Sequence, residues 1–146
     1  MNTPPNLGMQ VTTFENPMGI DGFEFVEFAA PAGQAHLLHD YFKTLGFSQV
    51  ARHKTRAIST YRQGDCTFLI NEDPDSFAAR FAAEHGPSAC GFAIRVKKLA
   101  EWARVQALKN GAESFDDADE LTKAVAAPVI KGIGDCMLYI VDRYDD

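Results

Sequence analysis

The pattern of apolar and polar positions predicts a strand, a helix and three more strands in the first half of the chain. Residues 22–29 alternate aromatic or β-branched residues with polar ones, which is typical of a strand. Residues 34–45 predict a helix that ends before Gly46, a residue suited to the left-handed conformation there. Its apolar stripe comprises Leu37, Leu38, Tyr41, Phe42 and Leu45. The three further strand-like runs are 47–53, 57–62 and 66–71.

A linking helix and a second set of elements follow in the same order. Asp73 as N-cap and Pro74 at the first helical position predict a helix that Gly86 and Pro87 end. Its predicted buried face comprises Phe77, Ala78, Phe81 and Ala82. A strand at 89–96 and a helix at 98–110 come next, the helix with Leu99, Trp102, Ala103 and Ala107 as its inner face. The remaining predictions are a short strand at 112–115, an acidic loop at 116–120, strands at 124–129 and 136–142, and a turn at 131–134.

This order predicts an α+β fold made of two βαβββ modules, with mixed sheets and helices on the outer faces. Residues 1–21 form an irregular N-terminal arm, and residues 22–146 form one domain. Within it, 22–73 is the first module, 74–87 the linking helix and 88–146 the second module. Each helix covers one face of its sheet, and the other face is expected to be concave and to need the other half as its mate.

Composition narrows the possible classes of protein. The chain has 146 residues, 46% of them hydrophobic, and a formal net charge of −6. An acidic domain repels phosphate backbones, so we expect no nucleic-acid partner. No apolar run approaches the roughly 18 residues that span a bilayer, and the N-terminal arm does not resemble a signal peptide. The three cysteines, Cys66, Cys90 and Cys136, lie among apolar residues, which predicts buried free thiols and a reducing cytoplasm.

Several local strings, taken in order and at their spacings, resemble the N-terminal domain of bacterial 4-hydroxyphenylpyruvate dioxygenases. That family lies within the vicinal oxygen chelate superfamily, together with glyoxalase, bleomycin-resistance proteins and extradiol dioxygenases. The resemblance extends from Phe14 to Tyr144. The strings are 15–19 (ENPMG), 22–29 (GFEFVEFA), 61–64 (YRQG), 81–88 (FAAEHGPS), 92–97 (FAIRVK), 130–134 (IKGIG) and 138–143 (LYIVDR).

The resemblance implies a parent enzyme that converts 4-hydroxyphenylpyruvate and O2 into homogentisate and CO2 in tyrosine breakdown. Such enzymes hold non-haem Fe(II) with two His and one Glu, all in a C-terminal domain. Because this chain ends at Asp146, where that domain would start, we expect the catalytic domain and its iron to be absent from it. The implied role is structural, with the chain's own catalytic domain and a homo-oligomer as partners. The same pattern also fits the related 4-hydroxymandelate synthase.

The strand pattern places the superfamily's metal-ligand positions on Glu24, Gly91 and Tyr139. Glycine cannot coordinate a metal, tyrosine is a rare ligand, and one carboxylate alone does not hold Fe(II). We therefore predict no metal, no cofactor-binding residue and no catalytic residue in this chain. Glu24 and Glu27 lie three apart on a strand and should face opposite sides, each bonded to a neighbouring strand.

The histidines give a weaker signal. His36 and His39 have a spacing that can share a metal, but they lie opposite the apolar stripe, so the prediction is a solvated helix face. His53 lies in the basic segment 52–56, which fits an exposed turn or edge strand, or else a docking patch for an acidic partner. His85 precedes Gly86 at a helix end, where the helix dipole favours a cation.

Two other functions stay open from the sequence. One is a stand-alone binding protein of the bleomycin-resistance type, which holds an aromatic or apolar molecule in the concave cleft of a dimer. The other is an independent enzyme that binds a metal through His36 and His39. A domain separated from its partner should expose an apolar patch, so we also predict self-association of the isolated chain.

Overall fold

The structure is a computed structural model that describes residues 14–115 and 127–144. The first half contains β1 (Ile20–Ala29), α1 (Ala35–Thr44), β2 (Ser48–Arg52), β3 (Ile58–Gln63) and β4 (Cys66–Asn71). α2 (Phe77–His85) links it to the second half, which contains β5 (Ser88–Val96), α3 (Ala100–Lys109), β6 (Val129–Lys131), a short 3-10 turn (Ile133–Asp135) and β7 (Met137–Val141). The predicted α+β order of two related modules is confirmed.

All seven strands of the described residues belong to one mixed sheet with the order β2-β3-β4-β1-β5-β7-β6. β1 runs parallel to β4 and β5 runs parallel to β7, so each half repeats the same arrangement. The halves meet where β1 and β5 pair antiparallel. The expectation that each concave face needs the other half as its mate was wrong in this respect, because backbone hydrogen bonds join the halves edge to edge.

The helices lie on both faces of this sheet. α1 packs on Phe28, Tyr61 and Ile70, and α3 packs on the same face of the second half, over Ile94 and Ile140. α2 lies on the opposite face, where it contacts both β1 and β5. Because successive side chains of a strand point to opposite faces, one sheet serves three separate apolar cores.

In α1 and α3, the buried face differs from the face that the sequence predicted. α1 buries Ala35, Leu38 and Phe42, whereas Leu37, Tyr41 and Leu45 of the predicted stripe are exposed. α3 buries Ala100, Ala103 and Ala107, whereas Leu99 and Trp102 are exposed. The apolar stripe of each helix is therefore wider than the part that the sheet covers.

The start of α2 also differs from the prediction. Its N-cap is Ser76, whose Oγ accepts a hydrogen bond from the backbone N–H of Ala79 at 3.2 Å. Asp73 instead closes the preceding turn, where its Oδ1 accepts from the backbone N–H of Asp75 at 3.0 Å. The Asp-Pro pair therefore begins a turn, and the helix itself begins four residues after Asp73.

The second module is less regular than the sequence predicted. The short strand at 112–115 is reduced to a single bridge between Ser114 and Ile130. β6 begins at Val129 and includes Lys131, which was assigned to the following turn. The acidic loop at 116–120, residues 124–126 of a predicted strand and residues 1–13 of the predicted arm lie outside the described residues.

Candidate functional site

A buried cluster of three polar side chains lies at the middle of the sheet, on the face that α2 covers. Glu27 on β1 is only 5% exposed, and its two carboxylate oxygens accept hydrogen bonds from different strands. The Asn71 amide on β4 donates to Oε1 at 2.7 Å, and the Tyr139 hydroxyl on β7 donates to Oε2 at 2.9 Å. We call Glu27, Asn71 and Tyr139 the Glu27 cluster. It joins three strands from both halves of the domain.

Gly91 makes the cluster's geometry possible. It lies on β5 between β1 and β7, directly opposite Glu27 in one pair and Met137 in the other. A Cβ at this position would come within 3.1 Å of the Met137 carbonyl oxygen and 3.5 Å of the Tyr139 ring. The missing side chain therefore leaves the space through which Tyr139 reaches across β5 to Glu27.

The surroundings of the cluster are apolar. The Phe25 ring lies 5.5 Å from that of Tyr139, and Phe77 and Phe81 of α2 belong to the same core. The Cys90 thiol donates to the backbone carbonyl of Glu27 at 3.6 Å. Burial raises the pKa of this thiol, and the Glu27 carboxylate raises it further, so Cys90 is a protonated core residue and not a nucleophile.

Glu24 lies outside the cluster. The pairing of β1 with β5 shifts register between Phe23 and Phe25, and the Glu24 carboxylate accepts a hydrogen bond from Arg95 at 2.6 Å. The Arg95 guanidinium also lies 5.0 Å from the ring centre of Tyr144. The structure therefore brings Gly91 and Tyr139 together with Glu27, not with Glu24. The prediction that both carboxylates bond to neighbouring strands is confirmed.

These residues do not fit a non-haem iron. A facial-triad site needs two imidazoles and a carboxylate with open coordination positions. The Glu27 cluster offers one carboxylate, one amide and one phenol, and both carboxylate oxygens already accept hydrogen bonds. In the segments 14–115 and 127–144, no three His, Cys, Asp or Glu side chains are grouped as metal ligands would be.

The His36 and His39 side chains have different environments, which corrects the prediction of one solvated face. His39 is half-buried, with Nδ1 2.7 Å from the Tyr61 hydroxyl and Nε2 2.9 Å from Glu72. His36 is exposed, and its Nδ1 bonds the Gly33 carbonyl at 3.0 Å. Each ring has its own partners, so the structure does not bring the two imidazoles together on one ion.

The other histidines and cysteines have structural roles in this part of the chain. His53 accepts hydrogen bonds from the backbone N–H of Thr55 and of Arg56, which confirms the exposed-turn interpretation. His85 ends α2 with its ring 4.3 Å from that of Phe81. All three cysteines are free thiols, as predicted, but Cys66 is exposed and only Cys90 is fully buried.

Two clefts adjoin α2. One, of about 440 Å³, includes Asn71 of the cluster in its lining, together with Ala30 and Pro74. The other, also of about 440 Å³, lies between α2 and β6 and is lined by Phe77, Phe81 and Phe115 with charged residues at its rim. The rim cation Lys131 pairs with Asp135 at 3.3 Å and Glu113 at 3.6 Å, and the Asp135 hydrogen bond raises the Lys131 pKa. No helix of the described residues is long and apolar enough to cross a membrane.

The two βαβββ modules, joined through their first strands in one mixed sheet, define a vicinal oxygen chelate fold. The family described as "Hydroxyphenylpyruvate dioxygenase, HPPD, N-terminal" matches residues 14–146. The chain therefore belongs to the family of N-terminal domains of hydroxyphenylpyruvate dioxygenases.

Individual relatives agree with this family. The chain is 42% identical over 133 residues to the 4-hydroxyphenylpyruvate dioxygenase of Pseudomonas sp. (strain P.J. 874), covering 91% of this chain and 36% of that protein. It is 46% identical over 131 residues to hemolysin VllY of Vibrio vulnificus, covering 88% and 36%. The chain thus spans about a third of the length of these relatives. A 3-dehydroshikimate dehydratase of Pseudomonas aeruginosa is 30% identical over 126 residues, covering 86% of the chain and 20% of the dehydratase.

Solved structures show the same fold. A xylose isomerase-like TIM barrel/4-hydroxyphenylpyruvate dioxygenase fusion protein matches with a TM-score of 0.74 and 30% identity, over 85% of this chain and 20% of that one. A 4-hydroxymandelate synthase variant from Streptomyces coelicolor matches with a TM-score of 0.63 and 19% identity, over 86% and 38%. The second likeness shows the fold alone.

Proposed function

We propose that this chain acts as the non-catalytic N-terminal domain of a 4-hydroxyphenylpyruvate dioxygenase. The parent reaction would convert 4-hydroxyphenylpyruvate and O2 into homogentisate and CO2, in tyrosine breakdown in the cytoplasm. The Fe(II) would be held by a C-terminal domain and not by this one. The Glu27 cluster carries the proposal, because both oxygens of its buried carboxylate already accept hydrogen bonds, from Asn71 and Tyr139, and no imidazole belongs to the cluster.

The chemistry of the cluster supports a structural role. A buried carboxylate is stable only when its oxygens have donors, and here the donors come from β4 and β7. The three side chains therefore hold β1, β4 and β7 together at the middle of the sheet. A domain built in this way gives a rigid surface to a neighbouring catalytic domain and to other subunits, the partners that we propose for it.

Iron binding by the isolated chain tests the first part of the proposal. Anaerobic titration with Fe(II), followed by calorimetry and metal analysis, should give no stoichiometric uptake. The Fe(II)-treated chain should also show no oxygenase turnover when 4-hydroxyphenylpyruvate and O2 are then added. Glu27→Gln should behave like the unsubstituted chain in this assay, and Glu24→Gln is the matched carboxylate control. Stoichiometric uptake that Glu27→Gln abolishes and Glu24→Gln leaves intact would contradict the proposal.

A chimeric protein tests whether this chain can serve as the N-terminal domain of a dioxygenase. In the chimera, this chain replaces the matched N-terminal third of the Pseudomonas sp. dioxygenase. The product is identified after incubation with 4-hydroxyphenylpyruvate, Fe(II) and O2. The expected product is homogentisate, with turnover close to that of the Pseudomonas enzyme. A chimera that folds and binds iron but converts no 4-hydroxyphenylpyruvate would show that this chain cannot serve as the N-terminal domain.

Calorimetry with aromatic 2-oxo acids tests the alternative of a stand-alone binding protein. The packing of α2 against β1 and β5 weighs against a ligand cleft at the middle of the sheet, since Phe77 and Phe81 fill that face. We expect no saturable binding to the isolated chain. A single saturating isotherm would favour the binding protein.

A further inference from the structure

Residues 142–144 follow β7 and are held against the domain by the side chains of the first and the last of them. Asp142 contacts the start of α3, where its Oδ2 accepts a hydrogen bond from the backbone N–H of Ala100 at 2.8 Å. The N-cap of α3 is Leu99, whose side chain cannot accept such a bond. Asp142 therefore supplies the acceptor that the helix lacks in its own sequence, and its negative charge suits the positive end of the helix dipole.

Tyr144 contacts the two strands that join the halves of the domain. Its hydroxyl donates to Oδ2 of Asp21 at 3.0 Å, and its ring centre lies 5.0 Å from the Arg95 guanidinium. A guanidinium over an aromatic ring at this distance is a cation–π contact. Asp21 belongs to β1 and Arg95 to β5, so Tyr144 bridges both strands.

The partners of Tyr144 are themselves held in place. Arg95 donates to the Glu24 carboxylate at 2.6 Å, and Lys97 Nζ lies 3.1 Å from Oδ1 of Asp21. The hydrogen bonds from Lys97 and from Tyr144 lower the pKa of Asp21, so this carboxylate is charged at neutral pH. Glu24, where the strand pattern placed a metal-ligand position, instead holds Arg95 under the Tyr144 ring.

These contacts matter more for geometry than for stability. Each is a surface contact, and surface ion pairs contribute little to the stability of a domain. Asp142 and Tyr144 are nevertheless only two residues apart and together contact three elements, α3, β1 and β5. The path of the backbone through 142–144 is therefore fixed. A flexible three-residue segment would instead vary in its end-to-end distance on the order of 10 Å.

We propose that Asp142 and Tyr144 are positioning residues that set the orientation of the C-terminal domain in the parent dioxygenase. This inference rests on the proposed function, because a following domain belongs to that protein. The matched family is the N-terminal one, and the Pseudomonas sp. relative is almost three times as long as the matched part. A polypeptide that continues past Tyr144 leaves from a fixed point beside the start of β1, and this limits how the next domain can lie.

The mobility of a spin label in the isolated chain tests whether the segment is held. A nitroxide is attached at Arg143→Cys, between the two contacts, where the native side chain is exposed. The chain also carries Cys66→Ser and Cys136→Ser, and buried Cys90 does not react. The room-temperature EPR spectrum should show a label of restricted motion, because the backbone at this position is held on both sides.

Two matched double variants are compared in this assay. Asp142→Ala with Tyr144→Ala should give a markedly more mobile label, because both contacts are lost. Asp75→Ala with Tyr41→Ala removes the same two side-chain types at exposed positions elsewhere and should leave the spectrum unchanged. Circular dichroism checks that each variant is folded. If the first double variant unfolds, Tyr144→Ala alone is measured in its place.

Distances in the chimera test whether the segment sets the orientation of the next domain. One nitroxide is placed at Cys66 and one at a single surface cysteine of the Pseudomonas part. Labelled chains are diluted with unlabelled ones, so that pulsed EPR records distances within one chain. The chimera should give a narrow distance distribution. The Asp142→Ala, Tyr144→Ala change should broaden it or shift its mean by at least about 5 Å, half of the freedom of a flexible segment, whereas the control double variant should not.

The readouts separate this inference from the proposed function. Broader or shifted distances in the Asp142→Ala, Tyr144→Ala chimera alone, when the unsubstituted chimera makes homogentisate, support both. Unchanged label mobility in the isolated chain, or unchanged distances in the folded chimera, overturns this inference, and homogentisate formation leaves the proposed function standing. A folded chimera that binds iron and makes no homogentisate overturns both.

Discussion

Glu27 is the residue on which the chemistry of this domain depends. An ionised carboxylate in an apolar core is costly unless donors surround it, and Asn71 and Tyr139 supply those donors at 2.7 and 2.9 Å. The same arrangement removes the carboxylate from metal chemistry, because both of its oxygens are engaged. Asn71 is held in turn, since its Oδ1 accepts from the backbone N–H of Asp73 at 3.0 Å.

Removing one donor should therefore destabilise the domain. We predict that Tyr139→Phe lowers the free energy of unfolding by about 1–3 kcal/mol, the cost of withdrawing a hydrogen bond from a buried carboxylate. Urea denaturation measures the change. Tyr144→Phe is the control, because its hydroxyl bonds Asp21 at the surface, and it should cost less than about 0.5 kcal/mol. Equal effects of the two changes would show that the cluster does not stabilise the core.

The three thiols should differ in reactivity according to their burial. Burial raises the pKa of Cys90 and of Cys136, with Glu27 and Asp135 respectively as the second cause. A raised pKa lowers the fraction of thiolate, which is the reactive form. In the native chain we therefore predict fast reaction of exposed Cys66 with a disulfide reagent, slow reaction of Cys136, and none at Cys90 until the chain unfolds.

Cys66→Ser is the control for this measurement and should remove the fast phase alone. Raising the solution to about pH 9 should speed the slow phase and leave Cys90 unreacted, because thiolate is formed only where the sulfur can be hydrated. A second fast thiol in the Cys66→Ser chain would contradict the packing around Cys90.

At the scale of elements, the sequence predicts strands better than it predicts helix faces. Period-two alternation and turn residues locate β1, β3, β4 and β5 closely, because each strand has one face in a core. The helix periodicity identifies α1 and α3, but it does not show which apolar positions the sheet covers. Leu37 and Leu99 belong to stripes that continue past the sheet contact, so they were assigned to the interior and lie outside.

Helix starts depend on hydrogen bonds that residue types alone leave ambiguous. Asp73 and Ser76 are both good N-caps, and Pro74 suits either a helix or a turn. The structure selects Ser76, which is 1% exposed and whose hydroxyl also donates to the Asp73 carbonyl at 2.7 Å. Burial of the hydroxyl, which no sequence pattern reports, makes Ser76 the cap.

Loss of this cap should be measurable. We predict that Ser76→Ala lowers the free energy of unfolding by about 1–2 kcal/mol, since the Ala79 N–H loses its acceptor at a buried helix start. Asp75→Ala, one residue away and exposed, should change it by less than about 0.5 kcal/mol. Urea denaturation of both chains gives the comparison. A larger loss of stability in Asp75→Ala than in Ser76→Ala would contradict the assignment of Ser76 as the N-cap.

At the scale of the molecule, the sequence predicts that the order of elements repeats, but it does not predict how the two modules pair with each other. The order of strands and helices predicts two modules, and the pairing of β1 with β5 then follows only in the structure. The pairing also locates the site differently from strand counting. Glu27 lies opposite Gly91 and accepts the Tyr139 hydrogen bond, whereas Glu24, beside a register shift in the β1–β5 pairing, bonds to Arg95 on β5.

The joint between the halves should make them unfold together. β1 and β5 pair along most of their length, α2 packs on both, and the Glu27 cluster links β4 with β7. Trp102, the single tryptophan, reports on the second half, and a dye on exposed Cys66 reports on the first in a Cys136→Ser chain. We predict urea midpoints that agree within about 0.2 M, as a two-state domain requires. Two separated midpoints would mean that each module is stable alone. The Glu27 cluster would then be a local contact that does not couple the unfolding of the two modules.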